Sequence, residues 1–199
     1  MTRPLVLASA SPVRLRVLRE GGFSPEVMVS GVDEDDVAGS THDVALVLAE
    51  RKAATIAARL NGDGALVLGC DTVLDVDGET RGKPRSIQQA REWWSSVAGR
   101  SALLHSGLCV IDTATGKQAS GVASTVVRYG TPTDAEMDAY LATKEPLEVA
   151  GAFTIDGYAA PFVEGIDGDH GAVLGLSLPL LRRLLADIDV AITDLWVRQ

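Results

Sequence analysis

The sequence predicts an α/β fold. Segments with the pattern of strands and segments with the pattern of helices alternate from one end of the chain to the other, as they do in proteins of this class. No internal repeat, linker or low-complexity stretch interrupts the alternation, so we expect a single domain over residues 1–199. A chain of 199 residues buries roughly 70% of the surface that its unfolded form exposes, which is enough for a core without disulfides.

The first half of the chain begins with a buried strand, Leu5–Ala8, which a helix follows. Ser11 and Pro12 begin that helix, because serine is a good N-cap and proline fits the first helical position. Gly21-Gly22 ends it. The pattern then predicts a second strand, an acidic loop and a long helix, which span Glu26–Ser30, Asp33–Asp36 and Asp43–Leu60.

The second half contains the longest apolar strand, Ala65–Leu74, which only Asp71 and Thr72 interrupt. Asp77-Gly78 predicts the turn of a hairpin. Two sequences of the capping-box type predict helix starts, Ser86-x-x-Gln89 and Thr133-x-x-Glu136. Two further strands and a leucine-rich helix that packs on the sheet complete the prediction, at Leu103–Ile111, Ala119–Tyr129 and Leu178–Ile188.

The chain is acidic, since 18 Lys and Arg against 27 Asp and Glu leave a formal charge of −9. A nucleic-acid polymer or an anionic membrane binds to a basic face, so we expect neither as a partner. A small phosphorylated ligand is compatible with this charge, because a few cations in one cleft overcome a distant negative field.

Two cysteines, Cys70 and Cys109, lie inside apolar runs and form no C-x-x-C motif. We expect buried thiols, which fit a reducing compartment. The apolar run Leu5–Ala8 is too short for the core of a signal peptide, and no apolar stretch approaches the ~20 residues of a membrane span. The sequence therefore predicts a cytoplasmic protein.

Several common catalytic motifs are absent from the sequence. It contains no G-x-G-x-x-G, no G-x-x-x-x-G-K-S/T, no H-E-x-x-H and no G-x-S-x-G. The three histidines, His42, His105 and His170, leave a Ser-His-Asp arrangement open, although none has a recognisable catalytic setting.

Small residues and a helix start follow the first strand. Ser9–Ser11 lets a ligand approach the backbone closely, and the helix N-terminus offers N–H groups and a partial positive charge. Arg14 lies in the first helical turn, where a cation opposes the helix dipole unless an anion joins it. The segment is either an anion-binding site made without glycine or a capped helix with a surface arginine.

Two charged residues have apolar surroundings. Lys52 lies between Leu48 and Ile56 on one stripe of its helix, where its ammonium either extends along the core into water or reaches an anion in a cleft. Asp71 interrupts an apolar strand, so its carboxylate must be paired, metal-bound or neutral, because a bare buried charge costs several kcal/mol. A structural aspartate that caps a neighbouring loop is the alternative.

Two further charges complete the set. Glu34 lies in a charged loop, which by itself predicts only a solvated surface, and Lys83 lies in the rigid turn Gly82-Lys83-Pro84. Two carboxylates, three cations and a helix N-terminus together suit a polyphosphate with a divalent metal. Oxygen ligands select Mg²⁺ or Mn²⁺, and Mg²⁺ typically uses one or two carboxylates with substrate phosphates.

Seven short motifs follow one another along the chain. They are Leu-Ala-Ser-Ala-Ser-Pro-Val-Arg at 7–14, Val-Asp-Glu at 32–34, Lys52-Ala53, Gly-Cys-Asp-Thr-Val at 69–73, Gly-Lys-Pro at 82–84, Ala-Gly-Ala-Phe-Thr-Ile-Asp-Gly at 150–157 and Gly-Leu-Ser-Leu-Pro at 175–179. Together they resemble the Maf proteins, nucleoside triphosphate pyrophosphatases related to the inosine triphosphatase superfamily. The resemblance implies an elongated mixed sheet with flanking helices and two lobes around a central cleft.

The resemblance also implies a reaction in which a nucleoside triphosphate and water give a monophosphate and pyrophosphate, acting on non-standard or surplus nucleotides. Asp71 would be the general base, and Glu34 and Asp71 would hold a divalent cation, Mg²⁺ or Mn²⁺. The phosphates of the substrate would contact Ser9, Ser11, Arg14, Lys52 and Lys83. The assembly that the resemblance suggests is a homodimer.

Three positions depart from the family pattern. Val13 stands where the family has the first arginine of S-x-S-P-R-R, Asp156 where it has glutamine, and Ala102 where a histidine is common. The family associates the first two positions with the choice of base, and we assign Thr72 to specificity with them. Val13 should widen the base pocket, and an ionised Asp156 only accepts hydrogen bonds.

Two alternatives to the implied activity remain open. One is a regulator of septum formation that binds a nucleotide without turnover. The other is an inosine-type triphosphatase, which differs only in its choice of base.

Overall fold

The computed structural model describes residues 3–34, 36–60 and 63–197 and shows a mixed α/β fold. The strands in this part of the chain are β1 (Leu5–Leu7), β2 (Glu26–Val27), β3 (Leu66–Val76), β4 (Glu79–Arg81), β5 (Ser101–Asp112), β6 (Gln118–Tyr129) and β7 (Val163–Asp167). The α-helices are α1 (Pro12–Glu20), α2 (Thr41–Leu60), α3 (Ile87–Val97), α4 (Asp134–Ala142), α5 (His170–Val173) and α6 (Leu178–Asp187).

One sheet contains these strands in the order β2-β1-β3-β5-β6-β7, with β4 paired to the end of β3. β1 runs parallel to both β2 and β3, whereas β3, β5, β6 and β7 pair antiparallel in that order. The sheet is therefore mixed, as expected. The β3–β5 register runs from Leu66 opposite Asp112 to Asp75 opposite Leu103 and places Asp71 opposite Gly107, near the middle of the sheet.

Hydrophobic cores lie along both faces and at the far end of the long strands. α1 and α6 cover one face, where Leu18 and Leu181 are fully buried, and α2 covers the other face with Ile56. At the far end of β3, β5 and β6, α3 and α4 close a second lobe around Trp94, whose indole N–H donates to the Ala152 carbonyl at 2.8 Å. The long strands thus connect two lobes.

α2 approaches the sheet closely at two glycines. A Cβ at Gly69 of β3 would overlap the carbonyl oxygen of Ala49, and a Cβ at Gly107 of β5 would overlap that of Ala45. The helix backbone therefore lies directly on the two strands, and this contact sets the depth at which the side chains of α2 meet β3.

Most of the predicted elements are present, with shifted ends. The second strand is much shorter than expected, since only Glu26–Val27 of the predicted segment pairs with β1. β7 and α5 are elements that the sequence pattern did not predict, because both are short. Asp35 of the acidic loop lies outside the described residues. No helix in the described ranges is both long and apolar enough to cross a membrane.

The predicted turn and one of the two capping boxes are confirmed. Asp77-Gly78 joins β3 to β4 with φ angles of +55° and +86°, as a tight hairpin requires, and Thr133 and Glu136 form both halves of their capping box. The prediction of the other capping box is wrong for one of its two hydrogen bonds. Ser86 caps α3, but the side chain of Gln89 accepts from the N–H of Arg85 instead of that of Ser86.

Replacing Gly69 by alanine should destabilise the fold by about 1–3 kcal/mol, because the added methyl group would push α2 away from β3. Gly121→Ala in β6 is the matched control. Its Cβ would lie in ordinary contact, 3.4 Å from Leu180 Cδ1 of α6, so this change should be neutral or stabilising. Urea unfolding measures both, and equal losses would contradict the close packing of α2 on Gly69.

Candidate active site

Three charged side chains meet near the middle of the sheet. Lys52 Nζ lies 2.6 Å from Asp71 Oδ1 and 2.6 Å from Glu34 Oε1. Lys52 is 7% exposed and Asp71 is 6% exposed, whereas the side chain of Glu34 is 56% exposed. The cluster is therefore buried on the side of Asp71 and open to solvent on the side of Glu34.

The surroundings of Lys52 decide between the two interpretations of this lysine. The backbone of α2 at Ala49 and Ala53 lies against Gly69, so Lys52 is held close to β3 and is buried there. Its ammonium donates to two carboxylates instead of ending in bulk water. Lys52 is thus a buried cation in an ion-pair network.

The environment of Asp71 changes its protonation. Burial raises the pKa of Asp71 above its ordinary value, and the positive charges of Lys52 and Arg14 lower it only in part. Its hydrogen bond in the described structure comes from Lys52 and not from a loop N–H, so the interpretation of Asp71 as a loop cap has no support. A carboxyl with a raised pKa accepts a proton more readily near neutral pH, which is what a general base requires.

The guanidinium of Arg14 connects three segments. Nη1 donates to Ser9 Oγ at 3.0 Å and to the Cys70 carbonyl at 2.9 Å, and Nη2 donates to Thr72 Oγ1 at 3.1 Å. Nε donates to the Gly175 carbonyl at 3.0 Å. Since a guanidinium has five N–H donors, Arg14 uses four of them within the protein, two of these on β3, and keeps one for a ligand.

The two serines before α1 accept hydrogen bonds from the protein and keep their own hydroxyl donors. Ser9 Oγ accepts from the Ser11 N–H, and Ser11 Oγ accepts from the Arg14 N–H. A hydroxyl has one donor besides its acceptor lone pairs, so both O–H groups are available to an anion. Pro12 has no N–H, which leaves the Val13 N–H as the uncapped donor at the start of the helix.

Lys83 lies in the turn that follows β4 and is exposed. β4 pairs with the end of β3, with Arg81 opposite Leu74, so the turn begins beside that part of β3. The Gly82 carbonyl accepts from the Gly151 N–H at 2.9 Å, which anchors the turn. In the described residues, no ion pair joins Lys83 to another side chain.

Asp156 is paired and does not simply face solvent. Its side chain is 23% exposed, and Arg16 Nη2 and Thr154 Oγ1 donate to its two carboxylate oxygens. Burial raises the pKa of Asp156, but the hydrogen bonds from Thr154 and Arg16 outweigh it and leave the pKa below its ordinary value. Asp156 is therefore ionised at neutral pH.

Arg16 is a candidate site residue that the sequence pattern did not identify. Val13 is half-buried against the core of α1 and α6, and the widening of a base pocket at this position stays a prediction. Arg16 follows three residues later, on the neighbouring face of α1, and reaches Asp156. The sequence contained one signal for Arg16. It follows three residues after Val13, and Val13 stands at the position where the family carries an arginine.

The side chains of the cysteines and histidines do not contribute to this cluster. Burial raises the pKa of Cys70 to about 11 and that of Cys109 to about 12, so both remain thiols. His105 Nδ1 lies 2.8 Å from Ser124 Oγ. Across the described ranges no carboxylate is hydrogen-bonded to His105, so His105 is not part of a Ser-His-Asp arrangement. His42 Nδ1 lies 3.3 Å from Asp43 Oδ1, and both side chains are exposed at the start of α2.

The carboxylates offer only a partial metal site. No group of three or more His, Cys, Asp and Glu side chains in the described residues is placed to hold a metal ion. Glu34 and Asp71 lie close together, because both contact the same Lys52 Nζ. Two neighbouring carboxylates are ligands of the kind that Mg²⁺ takes together with substrate phosphates and water.

Residues 4–188 match the family model described as "Maf-like protein". The chain belongs to the Maf family. This Maf chain is 58% identical to the "Nucleoside triphosphate pyrophosphatase" of Streptomyces coelicolor, over 98% of this chain and 95% of that protein. It is 56% identical, with the same coverage, to the protein of the same name from Streptomyces avermitilis. A crystal structure of a nucleoside-triphosphatase / dITP/XTP pyrophosphatase from Mycobacterium abscessus aligns with a TM-score of 0.42 and 15% identity, over 96% of the Maf chain and 98% of that chain.

Replacing Lys52 by methionine should make the stability of this Maf chain depend on pH. Methionine keeps the apolar stem but removes a cation that lowers the pKa of Asp71, so that pKa rises further in the folded variant. The free energy of unfolding of the variant is then highest below about 3.9, the pKa of Asp71 in the unfolded chain. It falls as the pH rises through the pKa of Asp71 in the folded variant. The loss is about 1.4 kcal/mol for each pH unit that separates the unfolded pKa from the folded pKa. Thermal unfolding at a series of pH values measures it.

The double variant Lys52→Met/Asp71→Asn is the control for this prediction. It lacks the titrating carboxyl, so the additional pH dependence should disappear. If Lys52→Met and the wild type differed by the same amount at every pH, the buried pair would not be coupled as described.

Proposed function

We propose that this chain is a metal-dependent nucleoside triphosphate pyrophosphatase, which hydrolyses NTP or dNTP to the monophosphate and pyrophosphate. The observation that carries the proposal is the buried Asp71–Lys52 pair, whose neighbour in β3, Cys70, shares the Arg14 guanidinium with the Ser9 hydroxyl. The name of the Streptomyces relatives supports it. The substrates would be non-standard or surplus nucleotides, and the buried thiols fit an activity in the cytoplasm.

Asp71 would act as the general base. It takes a proton from a water molecule, whose oxygen forms a bond to the α-phosphorus. The bond from that phosphorus to the bridging oxygen breaks, and pyrophosphate leaves with the electron pair. Burial raises the pKa of Asp71 towards the range in which a carboxylate accepts a proton efficiently, and the hydrogen bond from Lys52 at 2.6 Å orients the carboxylate.

The donors around Asp71 would bind the phosphates. Ser9 and Ser11 offer their O–H groups, as described above. Lys52 has three N–H donors, of which two go to Asp71 and Glu34, so one is left for an anion. Lys83 is exposed on an anchored turn and supplies the remaining cation.

Glu34 and Asp71 would hold the metal ion, Mg²⁺ or Mn²⁺. A bound divalent cation neutralises charge on the phosphates and orients them for in-line attack. Lys52 contacts both carboxylates, so the ammonium keeps their mutual repulsion low and the pair preformed.

The function is tested by a screen of all nucleoside triphosphates with Mg²⁺, with Mn²⁺ and with a chelator. Release of pyrophosphate and monophosphate in the presence of metal supports the proposal, and release of orthophosphate with diphosphate contradicts it. Nucleotide binding without turnover under all conditions would identify a nucleotide-binding regulator instead.

Replacing Asp71 by asparagine should reduce kcat by at least 10²–10⁴-fold, the usual contribution of a general base. Asn keeps the size of the side chain, and Lys52 keeps its ion pair with Glu34, so the fold should persist. Asp75→Asn is the matched control, because Asp75 lies in the same strand but accepts its hydrogen bond from the Gly78 N–H of the hairpin. Near-normal turnover of a folded Asp71→Asn variant would remove Asp71 from the mechanism.

Asp156 and Arg16 would read the base. An ionised carboxylate accepts hydrogen bonds and donates none, so Asp156 favours a base edge with N–H donors, such as that of guanine, and disfavours the carbonyls of uracil and thymine. Each oxygen has a second lone pair beyond the one that Thr154 or Arg16 occupies, so both can still accept from a base. We therefore expect that dTTP and UTP are not the uniquely preferred substrates.

Asp156→Gln should raise the ratio of kcat/KM for dTTP and UTP over GTP by about fivefold or more, which corresponds to about one hydrogen bond. Glu20→Gln is the control, because it alters another acidic neighbour of Arg16, at 3.8 Å, and leaves Asp156 in place. That variant should keep the wild-type ratio. A native preference for dTTP and UTP that Asp156→Gln does not change would show that Asp156 does not read the base.

A further inference from the structure

The loop that carries Asp156 is anchored at both of its ends. At its start lies Ala152, whose carbonyl accepts from the Trp94 indole N–H at 2.8 Å and from the Tyr140 hydroxyl at 3.0 Å. At its end lies Ala159, which is fully buried. Asp156 lies between these two anchors, so their positions determine where its carboxylate points.

Glu145 holds the end of this loop. Its side chain accepts from two successive backbone N–H groups, with Oε2 3.0 Å from the Tyr158 nitrogen and Oε1 3.3 Å from the Ala159 nitrogen. These two residues follow Asp156 directly after Gly157. Hydrogen bonds to a carboxylate are stronger than those between neutral groups, so Glu145 fixes the backbone that follows Asp156.

Gly157 lies directly against the same carboxylate. A Cβ at this position would lie 2.3 Å from Glu145 Oε2 and 2.8 Å from its Cδ. The contact therefore requires a residue without a side chain, which accounts for the glycine at the end of the motif Ala-Gly-Ala-Phe-Thr-Ile-Asp-Gly at 150–157. Glu145 thus meets the loop at three successive residues, 157–159.

The charge of Glu145 is met by the backbone and not by a cation. Within residues 3–34, 36–60 and 63–197, no lysine or arginine forms an ion pair with it. Glu148, the other carboxylate of the 3-10 turn Glu145–Glu148, is exposed. Holding a glutamate in one conformation costs side-chain entropy. The turn therefore carries one fixed carboxylate and one in solvent, and only the fixed one contacts the loop of Asp156.

We propose that Glu145 is a positioning residue for base recognition, which holds the loop so that Asp156 faces the base. The inference rests on the proposed role of Asp156 and extends it, because Glu145 acts through the backbone at 157–159. The alternative is that Glu145 only stabilises the 3-10 turn Ala160–Phe162 that follows. A change in the orientation of Asp156 alters the choice of base, whereas a looser turn affects all nucleotides alike.

Glu145→Gln tests this role. Glutamine keeps the length of the side chain, but its NH2 group cannot accept from a backbone N–H, so one of the two anchoring hydrogen bonds is lost. The ratio of kcat/KM for GTP over UTP should fall by about fivefold or more, which corresponds to about one hydrogen bond. The fall should come from a higher KM for GTP with kcat nearly unchanged, because a contact to the base is made in the ground state as well as in the transition state.

Glu148→Gln is the matched control. It removes the same charge from an exposed residue of the same 3-10 turn, so it should keep the wild-type ratio of GTP to UTP.

Gly157→Ala disturbs the same contact from the other side and does not depend on the folding of Glu145→Gln. The added methyl group displaces the Glu145 carboxylate, so the GTP-to-UTP ratio should fall here too. Hydrogen exchange gives a readout that needs no nucleotide. In both variants the amides of Tyr158 and Ala159 should exchange about fivefold faster or more, whereas those of β3 should be unchanged.

Asp156→Ala separates this inference from the proposed function. In that background no carboxylate is left to position, so adding Glu145→Gln should not change the GTP-to-UTP ratio further. An equal effect of Glu145→Gln with and without Asp156 would overturn the proposal. So would a folded Glu145→Gln enzyme with the wild-type ratio, or equal losses for GTP and UTP. If Asp156→Ala itself left the ratio unchanged, base recognition by Asp156 would be wrong and the role of Glu145 with it, whereas the release of pyrophosphate would be unaffected.

Discussion

The ion pair between Lys52 and Asp71 is the interaction on which the rest of the site depends. Each of the two residues is more than nine-tenths buried, and their charged atoms lie 2.6 Å apart. Buried charges are stable only while they remain paired, and an apolar pair of the same shape would often be more stable. The pair requires α2 to lie directly on β3, which Gly69 permits because it has no side chain. The proposed chemistry explains why such a costly pair is present.

Two arginines of α1 hold the surroundings of this pair in place, in different ways. Arg14 is directed at the sheet, where its planar fork of donors binds the Cys70 carbonyl and the Thr72 hydroxyl on either side of Asp71. Arg16 reaches Asp156, in the loop that leads into the second lobe. Its ion pair is partly exposed and therefore contributes little to stability, but it links the helix beside the phosphate donors to the loop proposed to contact the base.

Local patterns predicted the parts of the fold that depend on neighbouring residues. The helix start at Ser11 and Pro12, the Asp77-Gly78 turn and the capping box at Thr133 are all as expected, because each is stabilised within a few residues of chain. The same reasoning was wrong about the extent of the second strand. A strand end depends on how far its partner runs alongside, and β1 pairs with only Glu26–Val27.

The sequence by itself determined the fold class and identified Lys52 and Asp71 as residues that need partners, because a charge in apolar surroundings is costly wherever it lies. Only the tertiary structure decided that they are partners of each other. It also decided that Arg14 uses most of its donors within the protein and that Arg16 pairs with Asp156, 140 residues away. Contacts between distant segments follow from the order of the strands and the depth of the helices on them, and no local pattern of residues encodes either.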